Sequence, residues 1–163
     1  MPIDGIVQPE LIGIDAELRL RRFDGRFDFA LGWYQDAETL YLVDGKRKPY
    51  TMERLEGMYR YLDKRGELYF IELLRDGEFA PIGDVTFSRG DLPIVIGEHG
   101  LRGKGIGRRV ISALCGRARE FGWSELCVEE IYDWNTASKR CFESVGFRPY
   151  KKTERGSAYR IEL

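Results

Sequence analysis

Five glycines fall between positions 97 and 107: Gly97, Gly100, Gly103, Gly105 and Gly107. They separate an apolar stretch, Leu92–Gly97, from a segment whose Ile106, Val110, Ile111, Leu114, Ala118 and Phe121 recur at helical spacing. Few folds need so much backbone freedom immediately before a helix. Glycine lets the chain bend sharply and approach a ligand closely, and the first N–H groups of a helix have no partner inside it. A strand, a glycine turn and a helix start therefore form a cradle for an anion. Arg102, Lys104, Arg108 and Arg109 crowd the same place. Cations at a helix start oppose its dipole by roughly 0.3–1 kcal/mol each, and a bound anion reverses the sign of that cost.

The flanking pattern changes character across this turn. Upstream, Glu17–Phe23 alternates apolar and polar residues as a strand does, and Glu10–Ile14 is placed to pair with it. Phe27–Gln35 predicts a short helix, while Leu40–Asp44 is ambiguous and Gly45–Pro49 is a basic turn. Thr51 opens a helix in which Met52, Leu55, Met58, Tyr59 and Leu62 recur at helical spacing. Leu68–Leu74, an Asp76-Gly77 turn, Pro81–Ser88 and Leu92–Gly97 predict an antiparallel meander. Downstream, the helix ends at Gly122, Leu126–Ile131 is a strand, Thr136–Val145 is a helix stopped by Gly146, and Phe147–Lys152 and Ala158–Leu163 close as strands. The strand–helix–strand crossover predicts some parallel pairing. The expected fold is α/β: one domain over residues 1–163, with a mixed, mostly antiparallel sheet of six to seven strands and helices on both faces.

Composition removes several classes of function. The 163 residues suit one domain with a full core. The charges nearly cancel, 26 basic against 27 acidic, so nothing draws the whole chain to nucleic acid. No apolar run approaches the ~20 residues of a membrane helix, and the first sixteen residues carry three acids and no Lys or Arg, unlike a secretory signal. Three cysteines and one histidine support neither a disulfide scaffold nor a metal cluster. A reducing cytoplasm is the expected compartment.

The nature of the anion narrows by exclusion. No Gly-Lys-Ser/Thr occurs, so the P-loop pattern fails, and a dinucleotide fingerprint would need glycine at Val110. Arg102-Gly103-Lys104-Gly105-Ile106-Gly107, however, resembles the R/Q-x-x-G-x-G/A signature of the GNAT N-acetyltransferases. Further on, Asn135-Thr136-Ala137-Ser138, then Phe142 and Gly146-Phe147, is similar to that family's N-x-x-[AS]…[YF]-x-x-x-G-F, in the form seen in the branch of ribosomal-protein and antibiotic acetyltransferases.

The resemblance implies a fold, a cofactor and an activity. Acetyl-CoA would be the co-substrate, its pyrophosphate held on Arg102, Gly103, Lys104, Gly105, Ile106, Gly107 and Arg108, and its pantetheine arm by Val95, Ile96, Gly97, Asn135, Ser138 and Phe142. The acceptor would be a primary amine of a small molecule or a protein N-terminus, taken by a monomer or homodimer without nucleic acid, membrane or metal. Asn135 also suits a helix cap, and both roles are compatible. Phe142 stands where the family often has a tyrosine that protonates the leaving thiolate; Tyr132 and Tyr159 are substitutes. The amine needs a base. Glu130 follows from the family pattern, and Glu98 and Asp84 are rivals. A carboxyl group among apolar neighbours has a raised pKa, which suits a base near neutral pH. Trp33, Tyr34, Asp36, Glu38 and Tyr41, with Asp133 and Trp134, are either an acceptor cleft for a cationic amine or ordinary core and helix-end residues. Two other readings stay open: a coenzyme A-binding module without catalysis, and a phosphate-loop nucleotide-binding protein.

Overall fold

The computed structural model describes residues Met1–Leu163 and contains eight strands. By proximity of its backbone the chain divides into two compact units, each made of discontinuous segments. The first comprises Met1–Thr86 and Ile94–Gly100; the second comprises Phe87–Pro93 and Leu101–Leu163.

The first unit is a five-stranded sheet with its helices. Strands β1 (Leu11–Gly13), β2 (Leu18–Arg22), β3 (Glu67–Arg75), β4 (Glu78–Phe87) and β5 (Ile94–Ile96) lie side by side in chain order, as the meander pattern predicts. The β3–β4 connection turns at Asp76 and Gly77, both in the left-handed region (φ 49° and 81°). A 3₁₀ helix covers Asp28–Gln35. The ambiguous segment after it is helix α1, Ala37–Asp44, and its ends explain why. Asp36 accepts hydrogen bonds from the backbone N–H and hydroxyl of Thr39, and Gly45 closes the far end in the left-handed region. Helix α2, Met52–Arg65, is capped by Thr51, whose hydroxyl accepts from Arg54 N at 3.1 Å. The core joins Ala30, Trp33 and Tyr34 of the 3₁₀ helix to Leu40, Tyr50, Leu55, Tyr59, Leu68 and Phe70. Strand β3 is buried on both faces from Glu67 to Glu72, so the centre of this sheet is covered on both sides.

The second unit holds helices α3 (Ile106–Glu120) and α4 (Thr136–Val145) and strands β6 (Glu125–Tyr132), β7 (Arg148–Lys152) and β8 (Gly156–Glu162). Its sheet has the order β6-β8-β7, antiparallel throughout. The helical stripe anticipated from spacing is the buried one: Ile106, Val110, Ile111, Leu114 and Ala118. Phe142 of α4 packs edge-on against Phe147, with ring centres 5.1 Å apart.

The mixed α/β architecture is the expected one, with two differences. There are two sheets, of five and three strands, rather than one of six or seven. The parallel pairing predicted from the crossover is also absent: β5 ends the first sheet with an antiparallel ladder to β4, and β6 pairs antiparallel with β8. A crossover helix permits parallel pairing without requiring it. Here β5 is only three residues long, and its ladder is committed to β4.

Candidate active site

The glycine turn and the start of α3 have the form required of an anion cradle. Gly103 and Gly105 lie in the left-handed region, at φ 73° and 79°, which an ordinary side chain strongly disfavours. A Cβ built on either would meet no atom within 4 Å, so the need for glycine at both is conformational and the space in front of the turn is open. Gly105 caps α3 without any side-chain hydrogen bond, and no acid sits in the first turn. The first N–H to bond back into the helix is that of Arg109, to Gly105 O at 3.1 Å. Lys104 and Arg108 are exposed here, Arg102 is half-buried, and Ile106 is buried and anchors the helix. These features fit a diphosphate well: exposed donors, a positive dipole end and flanking cations.

Gly107 serves a different purpose. A Cβ at this position would lie 3.0 Å from Cys141 Sγ, so Gly107 is where α4 comes against α3. Burial pushes the Cys141 thiol up to about 11, which suits packing rather than nucleophilic attack. At the start of α4, Asn135 Oδ1 accepts from Ser138 N at 3.1 Å, so the capping role is realised. Phe142 is 2% exposed and belongs to the core of this unit. Of the tyrosines considered as its substitutes, Tyr132 stacks on Trp134 at 4.6 Å, and Tyr159 is buried with its hydroxyl 3.5 Å from Glu143. Burial raises the Tyr159 pKa, which makes it a weaker acid.

Val95, Ile96 and Gly97 lie in the first unit. Gly97 N donates to Ile82 O at 2.8 Å, which by antiparallel alternation directs the backbone groups of Ile96 to the edge away from β4. Gly97 also admits Trp33: a Cβ there would fall 2.2 Å from the indole. Beyond it, Glu98 holds Arg75 in a two-point ion pair at 2.6 and 3.1 Å. His99 places Nε2 2.6 Å from Asp36 and Nδ1 3.0 Å from Glu38.

The three carboxylates considered as bases differ sharply. Glu130 lies where the β6–β8 register shifts between Val128 and Ile131, so simple strand alternation does not govern it. Its Oε2 accepts from Arg155 N at 3.0 Å, and hydrogen bonds from Thr153 and that backbone N–H lower its pKa. The raised pKa anticipated for a base is therefore not found at Glu130, because donors on the β7–β8 turn stabilise its charged form. Asp84 is the opposite case. It is 2% exposed, opposite Val95 in the β4–β5 ladder, and burial pushes its pKa up to about 6. Its Oδ2 accepts from the hydroxyls of Tyr34 at 2.7 Å and Tyr59 at 2.9 Å. Helical spacing places Tyr59 on the apolar stripe of α2, and Tyr34 suits either core or acceptor cleft. Nothing in spacing reveals a hydrogen bond to a residue 25 or 50 positions away.

The acceptor cleft sought in the aromatic and acidic segment is largely consumed internally. Trp33 and Tyr34 are core, Asp36 caps α1, and Arg47 stacks over Tyr41 at 4.2 Å. The Thr39 N–H and the His99 contact hold Asp36 down to about 2.

The profile of the acetyltransferase (GNAT) domain matches residues 17–148. No curated protein matches the chain by sequence. Among solved structures, a domain from Methanocaldococcus jannaschii is 23% identical, with a TM-score of 0.77 over 91% of this chain and 100% of that one. A GNAT-family acetyltransferase from Bacillus anthracis is 18% identical, with a TM-score of 0.72 over 90% and 95% of the two chains. The aminoglycoside acetyltransferase AAC(6')-Ib, solved in complex with coenzyme A, is 16% identical, with a TM-score of 0.71 over 89% and 94%.

Proposed function

This chain belongs to the GNAT acetyltransferase family, and on that premise we propose that it carries the acetyl group of acetyl-CoA to the primary amine of a small molecule or a protein N-terminus, by direct attack within a ternary complex. One catalytic domain, acting as a monomer or homodimer, spans residues 1–163. The branch of ribosomal-protein and antibiotic acetyltransferases is the part of the family it fits by motif. The carrying observation is the turn before α3, with Gly103 and Gly105 in the left-handed region and an uncapped, acid-free helix start beside Lys104 and Arg108.

When bound, acetyl-CoA supplies an activated acyl carbon and a thiolate leaving group. On the family resemblance, Arg102–Arg108 would hold the diphosphate, and Val95–Gly97, Asn135 and Ser138 would meet the pantetheine arm. The amine nitrogen forms the new bond to carbon, the C–S bond breaks, and the proton on nitrogen passes to a base. Asp84 suits that duty best of the three carboxylates, since its pKa of about 6 lies near working pH. Glu130 and Glu98 hold a turn and an ion pair. Phe142 has no proton to give, so the thiolate takes one from water.

Thiol release from acetyl-CoA over a panel of amines tests this: an aminoglycoside, a polyamine, and a peptide with a free N-terminus. Gly105→Val should abolish coenzyme A binding in calorimetry while leaving the circular dichroism spectrum unchanged; undiminished affinity would refute the loop assignment. Binding without thiol release from any amine would instead favour a non-catalytic coenzyme A module, the reading that Phe142 supports. Preference for ATP over coenzyme A would favour a nucleotide-binding protein.

A further inference from the structure

We propose that Tyr34 and Tyr59 are positioning residues for Asp84: by donating both hydroxyl hydrogens to Oδ2, they leave Oδ1 as the basic oxygen that removes the amine proton. The proposal rests on the acetyl-transfer reading above and adds how its base is made.

The geometry is specific. The two donors come from different elements, the 3₁₀ helix and α2, and converge on a single oxygen at 2.7 and 2.9 Å. Each hydroxyl makes its hydrogen bond to Oδ2 rather than to Oδ1. Both tyrosines are themselves held. Tyr50 N donates to Tyr34 O at 2.9 Å, and the Tyr50 and Tyr34 rings lie 5.3 Å apart. The Tyr59 ring packs against Phe23, Phe27 and Phe70 at 5.5–5.8 Å. The hydroxyls therefore stay aimed at Oδ2 whatever its charge.

The chemistry follows from the neighbours. The 3₁₀ helix presents Tyr34 to Asp84, α2 presents Tyr59, and β5 presents Val95 opposite it; β3, next to β4, carries the buried Glu67 and Glu72, but burial and the two hydroxyls are what set the Asp84 pKa. Burial alone would keep this carboxyl protonated and useless as a base. A guanidinium partner would make it permanently anionic and weakly basic. Two neutral donors fall between these extremes. They partly stabilise the anion, and because both act on Oδ2, the proton goes to Oδ1. When the amine nitrogen bonds to the acyl carbon, its N–H bond breaks and an O–H bond forms on Oδ1. That proton later leaves to water.

The test uses Tyr34→Phe, Tyr59→Phe and the double variant in the full chain, each checked for an unchanged circular dichroism spectrum. Asp84→Asn identifies the protonated carboxyl stretch of Asp84 in the infrared spectrum. Its titration midpoint is then read in each variant without any substrate. In parallel, the pH profile of kcat/KM is measured with acetyl-CoA and the fastest amine of the panel. Each single Phe variant should raise the infrared midpoint by about one pH unit. The acid limb of kcat/KM should move upward equally, with kcat above pH 9 changed less than about threefold. Midpoints that stay fixed would overturn the proposal, and so would midpoints that move while the acid limb does not. A panel without thiol release would remove the acetyl-transfer reading and with it the catalytic duty. The infrared midpoints would still decide whether the hydroxyls set the protonation of Asp84.

Discussion

Asp84 is a carboxyl group only 2% exposed, and that burial has a cost with a definite pH signature. Its pKa is raised from 3.8 to about 6 in the folded chain. Below pH 3.8 the group is neutral in both states. Between 3.8 and 6 the folded chain keeps a proton that the unfolded chain has released, so stability falls as pH rises through that window. The loss amounts to about 3 kcal/mol and is complete above the folded pKa. Asp84→Asn keeps an oxygen for the tyrosines and cannot ionise. Its stability relative to the native chain, read from urea midpoints, should therefore improve by about that amount between pH 4 and pH 7. A pH-independent difference would show that Asp84 is not the strained carboxylate. Asn135 carries a separate expectation. Its cap on α4 is worth about 1 kcal/mol, so Asn135→Ala should lower the unfolding free energy, read from urea titration, by that much. A rise in KM for acetyl-CoA beyond that structural loss would establish its second role on the pantetheine arm.

Helix α3 shows how one motif can combine unlike requirements. Gly103 and Gly105 satisfy the backbone, and Gly107 satisfies the contact with Cys141 on α4. A double-mutant cycle separates these demands. In a Cys141→Ala background, Gly107→Ala should stabilise the protein by about 1 kcal/mol through helix propensity. With Cys141 present the same change forces a 3.0 Å contact, and the gain should vanish or turn into an overpacking loss of about 1–3 kcal/mol. Equal effects in the two backgrounds would remove the packing account. Most elements were legible from spacing and caps: α3, α4, the Asp76-Gly77 hairpin and the Thr51 start of α2 all lie where apolar period and turn chemistry put them. Helix α1 was not, since eight residues carry little periodicity and its start depends on an Asp36 cap. Strand β6 was legible as a strand, but the register shift beside Glu130 was not, because a bulge is set by the partner strand.

The chain passes between its two compact units three times, after Thr86, Pro93 and Gly100. The first passage falls inside β4, and β5 returns to pair with β4 only after the intervening segment has joined the other unit. A chain interleaved in this way should unfold in one transition. Calorimetric and van't Hoff enthalpies should agree, and a fluorescence probe at Trp33 should report the same midpoint as one at Trp123. Separate midpoints would show that the units fold independently.

The amino-acid order alone determined what depends on near neighbours: the alternation of strands, the helical stripes, the caps, and the glycines whose backbone angles no other residue adopts easily. From these came the family resemblance and the turn proposed to hold the cofactor, because the residues of each signature lie close together in the chain. Only the folded chain decided which carboxylate is desolvated and by what it is held. Asp84 meets Tyr59 across 25 positions and Tyr34 across 50, whereas Glu130 is captured by the backbone of a later turn. The basicity of an acid depends on the dielectric and the donors around it, and those are supplied by residues that sequence spacing does not bring together.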